Sequence, residues 1–261
     1  MSNIVDEKKE TKQLLILSIL AGGIMLKNGA ETYRVEDTIV RICKSRKNIK
    51  YVESFVTPTG IFVSLEYGEE VMSYLQRINT IKIDLNKIDM VNSFSRNFVE
   101  SNMSIEDGLK KLKNIDNVGT YHNTTKLLFG SIAGAFFSIL FGASLLDFIS
   151  TFIVSLLVLV TTTYLNKLEI TFFIDNLIAA AVATISSILL VKIGLGENMD
   201  TIIIGSIMTL VPGVAITNAI RDTMSGDFIS GLSRGMEAAV IALAIAFGVG
   251  IILNSYFKGL V

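Results

Sequence analysis

Residues 127–146 read LLFGSIAGAFFSILFGASLL, a run of 20 residues without a charged side chain. A helix that crosses the hydrocarbon core of a bilayer needs about 20 mostly apolar residues, because each residue rises about 1.5 Å through a layer about 30 Å thick. In water, a helix that is apolar on every face would need a large protein core to cover it. The run therefore predicts a membrane-spanning helix.

The rest of the second half of the chain repeats this pattern. Four further segments are mostly apolar and contain at most one charged residue each: 148–165, 170–191, 201–220 and 236–257. The composition agrees, since 51% of the residues are apolar and only 18% are charged, whereas soluble domains carry about 25% charged residues. We predict about five spans, with a tight hairpin around Asp147 between the first two.

The charged residues are concentrated in the first half of the chain. Of the 23 Lys and Arg residues, 18 lie at or before Lys126, so the two halves are suited to different solvents. The sequence predicts a polytopic α-helical membrane protein with an N-terminal α+β cytoplasmic domain. Residues 1–125 form that domain, and residues 126–261 form the transmembrane domain.

Basic residues near the span ends predict the orientation, because cytoplasmic ends are enriched in Lys and Arg. With the N-terminal domain in the cytoplasm, the basic residues that face the cytoplasm are Lys126, Lys167, Arg221 and Arg234, and those that face outward are Lys192 and Lys258. The inverse orientation fits the rule less well. We therefore predict a multi-pass protein of the plasma membrane with a cytoplasmic N-terminus.

Residues that favour helix ends and turns indicate a small α+β domain in the first half. Gly29 suits the left-handed position after a first helix, and Thr32 suits the N-cap of a second helix. Pro58 and Gly60 fit a tight turn between two strands. The predicted helices are 11–27, one beginning at residue 32, 85–100 and 105–115, and the predicted strands are 51–57, 61–67 and 71–78.

The apolar run at residues 14–26 has two interpretations. Lys8, Lys9 and Lys12 precede it, as in a secretory signal peptide, but acidic residues are interspersed with these lysines and the run continues without a turn. The run is too short to span a bilayer and suits a buried core helix. We favour the core helix.

Several classes of chemistry receive no support from the composition. The net charge is −1, so nothing indicates a nucleic-acid partner. A single cysteine and a single histidine exclude an intrachain disulfide and offer no metal cluster. No GxxxxGK[ST] run for a nucleotide occurs, and we predict no cofactor. Cys43 is interpreted as a small buried apolar residue.

Pro212 lies near the middle of the fourth predicted span and is followed by Gly213. Proline has no N–H to donate, and its ring clashes with the carbonyl four residues earlier, so the helix should be interrupted. Interrupted helices at membrane depth form the binding sites of many transporters. The alternative is a kink packed inside the bundle, since Pro and Gly are common in membrane helices.

Polar and charged residues follow this interruption at helical spacing. An arginine here could clamp a substrate carboxylate, and an acid could accept a substrate ammonium or carry a coupling proton. The alternative is a solvated loop, linked by Gly226, Gly231 and Gly235, whose charges pair structurally. The candidate substrate-route residues are Pro212, Gly213, Asn218, Arg221, Asp222, Asp227, Arg234 and Glu237.

Other features of the membrane half are weaker signals. Asp175 lies near a predicted membrane edge, where a carboxylate can reach headgroup water, so we interpret it as interfacial or structural. Gly130 and Gly134 are spaced to let helices approach closely, a pattern that is also common by chance.

Blocks of sequence along the chain resemble the threonine/serine exporter family. The first block is NGAETYRVEDT at residues 28–38, the second is ESFVTPTGI at 53–61, and the third is VNSFSR at 91–96. A fourth lies in the membrane half, with Pro212-Gly213, NAIRD at 218–222 and residues 226–237. The blocks occur in family order and cover most of the chain.

The resemblance assigns importance to a set of residues in the first half. Its charged members could form, together with Arg77, a cluster that gates the transport route or binds substrate, or they could be ordinary surface pairs; these members are Glu31, Arg34, Glu36, Asp37 and Arg96. The motif residues are Gly29, Glu31, Thr32, Arg34, Glu36, Asp37, Pro58, Thr59, Gly60, Asn92 and Arg96.

The resemblance also implies partners and substrates. Long family members carry about twice as many spans, so this chain resembles the split form, in which a second, smaller membrane subunit supplies the rest. Split members export amino acids such as threonine and serine or C4-dicarboxylates such as succinate. The implied function is one subunit of an ion-gradient-coupled exporter in the lipid bilayer, and a higher oligomer is compatible with it.

Two rival classes remain open. A membrane-anchored sensor would bind a ligand through the first half without transport. A membrane-tethered hydrolase would need a nucleophile–base or metal constellation, but the lone His122 lies outside the predicted core of the first domain and no GxSxG or HExxH run occurs. We therefore predict that the protein is not an enzyme.

Overall fold

The computed structural model describes residues 2–46, 49–101, 103–168 and 170–259, with side chains from Glu7 onward. The chain divides into two compact units. The first unit contains Met1–Thr120 and Val214–Gly235, and the second contains Tyr121–Gly213 and Met236–Val261. The sequence predicts a boundary near Lys126, but no local pattern indicates that residues 214–235 group with the N-terminal residues.

The described residues form a mostly helical chain with one small sheet. In chain order the elements are α1 Ser2–Lys27, α2 Thr32–Lys44, β1 Ile49–Thr57, β2 Gly60–Tyr67, β3 Glu70–Arg77, α3 Leu85–Glu100, α4 Ile105–Asp116, α5 Asn123–Leu140, α6 Leu145–Lys167, α7 Phe172–Lys192, α8 Met199–Ile207, α9 Gly213–Met224 and α10 Phe228–Phe257.

The first unit is built on an antiparallel sheet in the order β1-β2-β3. The hairpin between β1 and β2 turns at Pro58 and Thr59, as predicted, because Thr57 pairs with Gly60. One face of the sheet supplies Val56 and Ile61 to a core that α1 and α2 complete. The predicted strands and helices of this half are all present, but α1 begins at Ser2 rather than near residue 11.

α1 is the central helix of this core. Leu14, Leu17, Met25 and their neighbours are almost fully buried, which confirms the prediction of a buried core helix. Cys43 on α2 is fully buried as well, and its sulfur lies 3.2 Å from the hydroxyl of Ser18. Burial raises the pKa of the Cys43 thiol to about 11, so this residue packs as an apolar side chain.

Among the described residues of the whole chain, three helices are long and apolar enough to cross a membrane. They are α6, α7 and α10. The fourth predicted segment is not one helix, because α8 ends at Ile207 and α9 begins at Gly213. The physical reason is Pro212, which cannot donate a helical hydrogen bond.

Two boundaries differ from those expected. α5 ends at Leu140 and α6 begins at Leu145, so the hairpin turn precedes Asp147. Asp147 instead lies in the first turn of α6, where it and Ser144 form a reciprocal capping box. Gly231 and Gly235 do not belong to a flexible link, because both lie within α10.

The second unit packs its helices closely at small residues. A Cβ atom added to Gly134 of α5 would overlap the hydroxyl of Ser155 on α6 and lie 3.3 Å from the carbonyl oxygen of Gly205 on α8. A Cβ atom on Gly205 would lie only 2.7 Å from Cβ of Ser138. The spacing of small residues around Gly134 therefore reflects real helix contacts.

Candidate functional site

Most of the predicted substrate-route residues gather in the first unit. Asn218, Arg221, Asp222, Asp227 and Arg234 all contact residues 28–32, which we call the 28–32 turn. This turn connects α1 to α2 and carries the first family-like block. Pro212, Gly213 and Glu237 belong to the second unit.

The 28–32 turn has a fixed backbone conformation. Gly29 has a φ of +91°, in the left-handed region that favours glycine, as predicted for the position after α1. The N–H of Ala30 donates to the carbonyl of Met25 at 3.1 Å, and the side-chain amide of Asn28 donates to the carbonyl of Ile24 at 2.6 Å. These bonds close the end of α1 and leave the Gly29 and Ala30 carbonyl oxygens to accept bonds from later residues.

α9 presents one polar face to this turn. The amide Nδ2 of Asn218 donates to the carbonyl of Gly29 at 2.8 Å. One turn later, Arg221 pairs with the carboxylate of Glu31, and Oδ1 of Asp222 accepts the backbone N–H of Thr32 at 3.1 Å. The spacing of three and four residues places these side chains on one side of the helix.

A second contact comes from the start of α10. Nη2 of Arg234 donates to the carbonyl of Ala30 at 2.7 Å, and its Nε lies 3.2 Å from Oδ2 of Asp222. Burial raises the pKa of the Asp222 carboxyl, and Arg234 and Thr32 offset this only in part. A charge removed from water in this way is tolerated only when it is paired and hydrogen-bonded.

The turn between α9 and α10 adds a further polar contact to the 28–32 turn. Gly226 has a φ of +93°, and the N–H of Asp227 donates to the carbonyl of Asp222 at 2.8 Å. This places the carboxylate of Asp227 3.0 Å from the hydroxyl of Thr32. Thr32 was predicted to cap α2, but Glu31 occupies the N-cap position, and the polar groups of Thr32 bond the two aspartates instead.

Glu31 is the most engaged acidic residue of the turn. Its side chain is only 7% exposed and pairs with both Arg221 and Arg34, the latter at 3.5 Å. Burial by itself would raise the pKa of Glu31, but its own backbone N–H and the two arginines outweigh burial, so the pKa is lowered. Glu31 is therefore held as an anion between two cations.

Glu36 behaves in the opposite way. Its Oε1 accepts the N–H of Val56 at 2.8 Å, which joins α2 to β1. Burial raises the pKa of Glu36 to about 6, and the nearby carboxylates of Asp227, Asp222 and Glu53 add to the effect. Glu36 therefore holds a proton more tightly than a free glutamate side chain.

The other predicted motif residues lie elsewhere in the first unit. Asp37 pairs with Arg41 on the surface of α2. Pro58, Thr59 and Gly60 form the β-hairpin, where the Thr59 carbonyl accepts the N–H of Ile78 at 2.9 Å. Asn92 and Arg96 lie on α3 and Arg77 on β3, and within the described part of the chain neither arginine forms an ion pair. Asp37 thus forms a surface pair, whereas Glu31 and Arg34 belong to the polar contacts of the 28–32 turn.

The sequence did not reveal the main acceptors of the site. The carbonyls of Gly29 and Ala30 receive Asn218 and Arg234, and backbone atoms leave no trace in residue type. A further polar contact in the second unit was also missed. Oδ1 of Asp147 accepts the N–H groups of Glu197 and Asn198 at 2.7 and 3.0 Å. A Ser144-x-x-Asp147 capping box was its only signal.

The polar residues around the 28–32 turn are suited to linking segments of the first unit rather than to binding a metal. Within the described ranges no group of three or more His, Cys, Asp and Glu side chains could hold a metal ion. The arrangement can recognise anionic groups, because the Arg221 side chain is 53% exposed while its partner Glu31 is buried. A carboxylate that approached from solvent could meet this guanidinium.

Comparisons with known proteins agree with the resemblance. Residues 17–256 match the family described as "Putative threonine/serine exporter". The chain is 23% identical over 243 residues to a threonine/serine exporter of Corynebacterium glutamicum, covering 90% of this chain and 50% of that protein. It is 23% identical over 244 residues to the "Probable succinate transporter subunit YjjP" of Klebsiella aerogenes, covering 93% of this chain and 94% of that protein.

A further relative is an uncharacterized protein of Schizosaccharomyces pombe. It is 24% identical over 181 residues, which are 66% of this chain and 22% of that protein. The chain thus spans half or less of two of these relatives and nearly all of the third. No solved structure matches the chain.

Proposed function

Because the chain belongs to the threonine/serine exporter family, we propose that it is one subunit of an exporter that moves small carboxylate-bearing metabolites out of the cytoplasm. The candidate substrates are threonine, serine and C4-dicarboxylates such as succinate. An exporter requires no catalytic constellation, and a non-enzymatic role is consistent with the family.

The interrupted helix is the observation that carries this proposal. Residues 201–220 contain no charge, yet the α-helix stops at Ile207 and resumes at Gly213. In a membrane, such a break is tolerated only where protein or a water-filled cavity receives the backbone polar groups. Transporters place their substrates at breaks of this kind.

Topology is part of the proposal. About five crossings of the plasma membrane place the N-terminal unit in the cytoplasm and the C-terminus outside. α6, α7 and α10 have the length and apolar composition for three of these crossings. α5 and the segment that contains α8 and the Pro212 break would supply the other two.

We further propose a second, smaller membrane subunit. The likeness to a protein named as a transporter subunit, over 94% of its length, supports a divided exporter. A partner with a similar number of crossings in the inverted orientation would complete a familiar transporter plan. Transport would be coupled to an ion gradient.

Arg221 is our proposed contact for the substrate carboxylate. Its side chain is more than half exposed, and its pair with Glu31 can be exchanged for a pair with substrate. Arg234 is less suited to this role, because it is buried against Asp222. Arg234, Asp222, Asn218 and Asp227 instead hold α9, which follows the break, against the 28–32 turn.

The test is efflux from proteoliposomes that contain the chain, with and without the smaller membrane protein. Vesicles are loaded with labelled succinate, threonine or serine, and release is followed over time. We expect one substrate class to leave faster only when both proteins are present, and Arg221→Gln to slow release more than Arg221→Lys. Release of all three compounds no faster with both proteins than from protein-free vesicles would refute the proposal.

A further inference from the structure

Asp175 is a buried acid in a helix with the character of a membrane span. It lies in the first turns of α7 and is only 9% exposed. Its Oδ1 atom is inaccessible to solvent and has no hydrogen-bond partner among the described residues. The sequence predicted an interfacial or structural carboxylate, and the burial of this atom does not favour the interfacial alternative.

A capping role does not account for the side chain. Thr171 is the N-cap residue of α7, and within the described part of this cap region Asp175 bonds through its backbone N–H, which donates to the Thr171 carbonyl at 3.1 Å. By contrast, Asp147 in the first turn of α6 accepts backbone N–H groups through its side chain. Asp147 therefore has a structural role that Asp175 lacks.

Within the described residues, Asp175 forms no ion pair with a charged residue of the helices that pack against α7. α6 and α8 pack against α7, and Gly248 of α10 lies against Ala180, where an added Cβ atom would be 2.9 Å from the alanine Cβ. In the described parts of these helices and of α7 itself, no ion pair to Asp175 is formed. The charged residues there are Asp147 and Lys167 on α6, Lys192 on α7, Asp200 on α8, and Glu237 within the second-unit part of α10.

Asp175 is the first of the buried residues that line one face of α7. Ala179 and Ala183 follow at intervals of four residues, and both belong to the apolar cluster against which Ile207 and Leu210 pack. Ile207 is the last residue of α8, and Leu210 lies within the break before Pro212. The acid thus lies on the face of α7 that continues toward the broken helix of the same unit.

We propose that Asp175 carries the coupling proton of the exporter. This inference rests on the proposed function and makes it specific, since it names the ion and the residue. Ionisable groups inside membrane helices that have no structural partner mark ion routes and proton relays. The carboxylate binds a proton from one side and becomes a neutral acid. It releases that proton to the other side, and no covalent bond to the substrate forms or breaks.

The experiment separates coupling from substrate movement. Proteoliposomes with the complete exporter receive labelled succinate, threonine or serine, and release is measured with an imposed proton gradient and, separately, as exchange of labelled for unlabelled substrate at equal pH. For Asp175→Asn we expect the gradient response to fall about tenfold or more while exchange changes less than about threefold. Asp175→Glu, which keeps an acid, should retain part of the gradient response.

A matched control uses the same substitution at an exposed acid. Asp200 lies in the first turn of α8 and is exposed, so Asp200→Asn should leave both measurements unchanged. The melting temperature of purified Asp175→Asn should not fall below that of the wild type, because the substitution removes a buried charge that has no partner. A fall in melting temperature, with equal loss of exchange, would mean a structural role and would overturn the inference.

Two other outcomes would also overturn it. One is an Asp175→Asn variant that retains the full gradient response, and the other is wild-type transport driven by sodium but not by protons. Failure of the proposed function is distinguishable, since then the wild type would release none of the three substrates under any gradient.

Discussion

Nε of Arg234 lies 3.2 Å from Oδ2 of Asp222, and neither side chain is more than 6% exposed. This pair joins the start of α10 to α9, and its two members also bond the 28–32 turn through Ala30 and Thr32. Two segments that are almost 200 residues apart in sequence are thereby held in one polar cluster.

Removal of one member of this pair should be costly. Arg234→Met leaves the Asp222 carboxylate buried without its cation, so we expect a loss of about 3–5 kcal/mol in the free energy of unfolding. Asp222→Asn in the same chain should restore part of that loss. Thermal unfolding of the detergent-solubilised protein measures both effects.

Arg96→Met is the control for this pair. Arg96 is exposed on α3 and forms no ion pair within the described ranges, so its substitution should change stability by less than about 0.5 kcal/mol. Equal effects of the Arg234 and Arg96 variants would contradict the importance of the buried pair.

Thr32 allows the contact to Asp227 to be tested alone. Thr32→Val removes the hydroxyl 3.0 Å from the Asp227 carboxylate but keeps the backbone N–H that bonds Asp222. We expect destabilisation of about 1–3 kcal/mol, because a charged acceptor loses its donor. Thr32→Ser keeps the hydroxyl and should lie closer to the wild type in the same unfolding measurement.

Glu36 should give stability a specific pH dependence. Its pKa is about 6 in the folded protein and 4.5 for the free side chain. The folded state therefore binds this proton more tightly, and the stability that the proton supplies is complete below pH 4.5 and lost as the pH rises through 6. The effect should be no more than about 2 kcal/mol.

Glu36→Gln isolates that contribution. Glutamine keeps an acceptor for the Val56 N–H and cannot ionise, so the variant should be at least as stable as the wild type at pH 7.5 and should lose this part of the pH dependence. The measurement is the melting temperature of the wild type and of Glu36→Gln between pH 4.5 and pH 7.5. Parallel curves would show that Glu36 does not titrate as described.

Gly231 tests the close approach of α9 and α10. A Cβ atom at this position would lie 2.9 Å from the carbonyl oxygen of Ala219 and 3.0 Å from the backbone N of Thr223. Backbone atoms cannot move aside cheaply, so Gly231→Ala should destabilise the protein by about 1–3 kcal/mol. Gly250 on the same helix has no atom within 4 Å of an added Cβ, and Gly250→Ala should be neutral or stabilising by up to about 1 kcal/mol.

The sequence predicted the elements of the first half well because their signals are local. Gly29, Pro58 and Gly60 each fix a backbone conformation within a few residues, and the strands follow from alternation of apolar side chains. The Pro212 interruption was predicted for the same reason. Each of these features depends on neighbours in the chain rather than on tertiary contacts.

The joining of distant segments could not be read in this way. Asn218, Asp222 and Arg234 were expected to face substrate or solvent, since their residue types suit either role. Their partners are the carbonyls of Gly29 and Ala30 and the N–H of Thr32, which are backbone groups with no signature in residue type. Likewise, Asp147 alone does not indicate the turn of the α5–α6 hairpin, because its carboxylate caps the start of α6 rather than marking the connection.

The burial of Cys43 has a practical consequence for spectroscopy of this protein. The thiol is enclosed by the core of the first unit and stays protonated at neutral pH, since its pKa is about 11. Thiol-reactive probes need a thiolate that they can reach. The native chain should therefore serve as an unreactive background, in which a cysteine introduced at an exposed position such as Gly213 takes up a spin label or fluorophore alone.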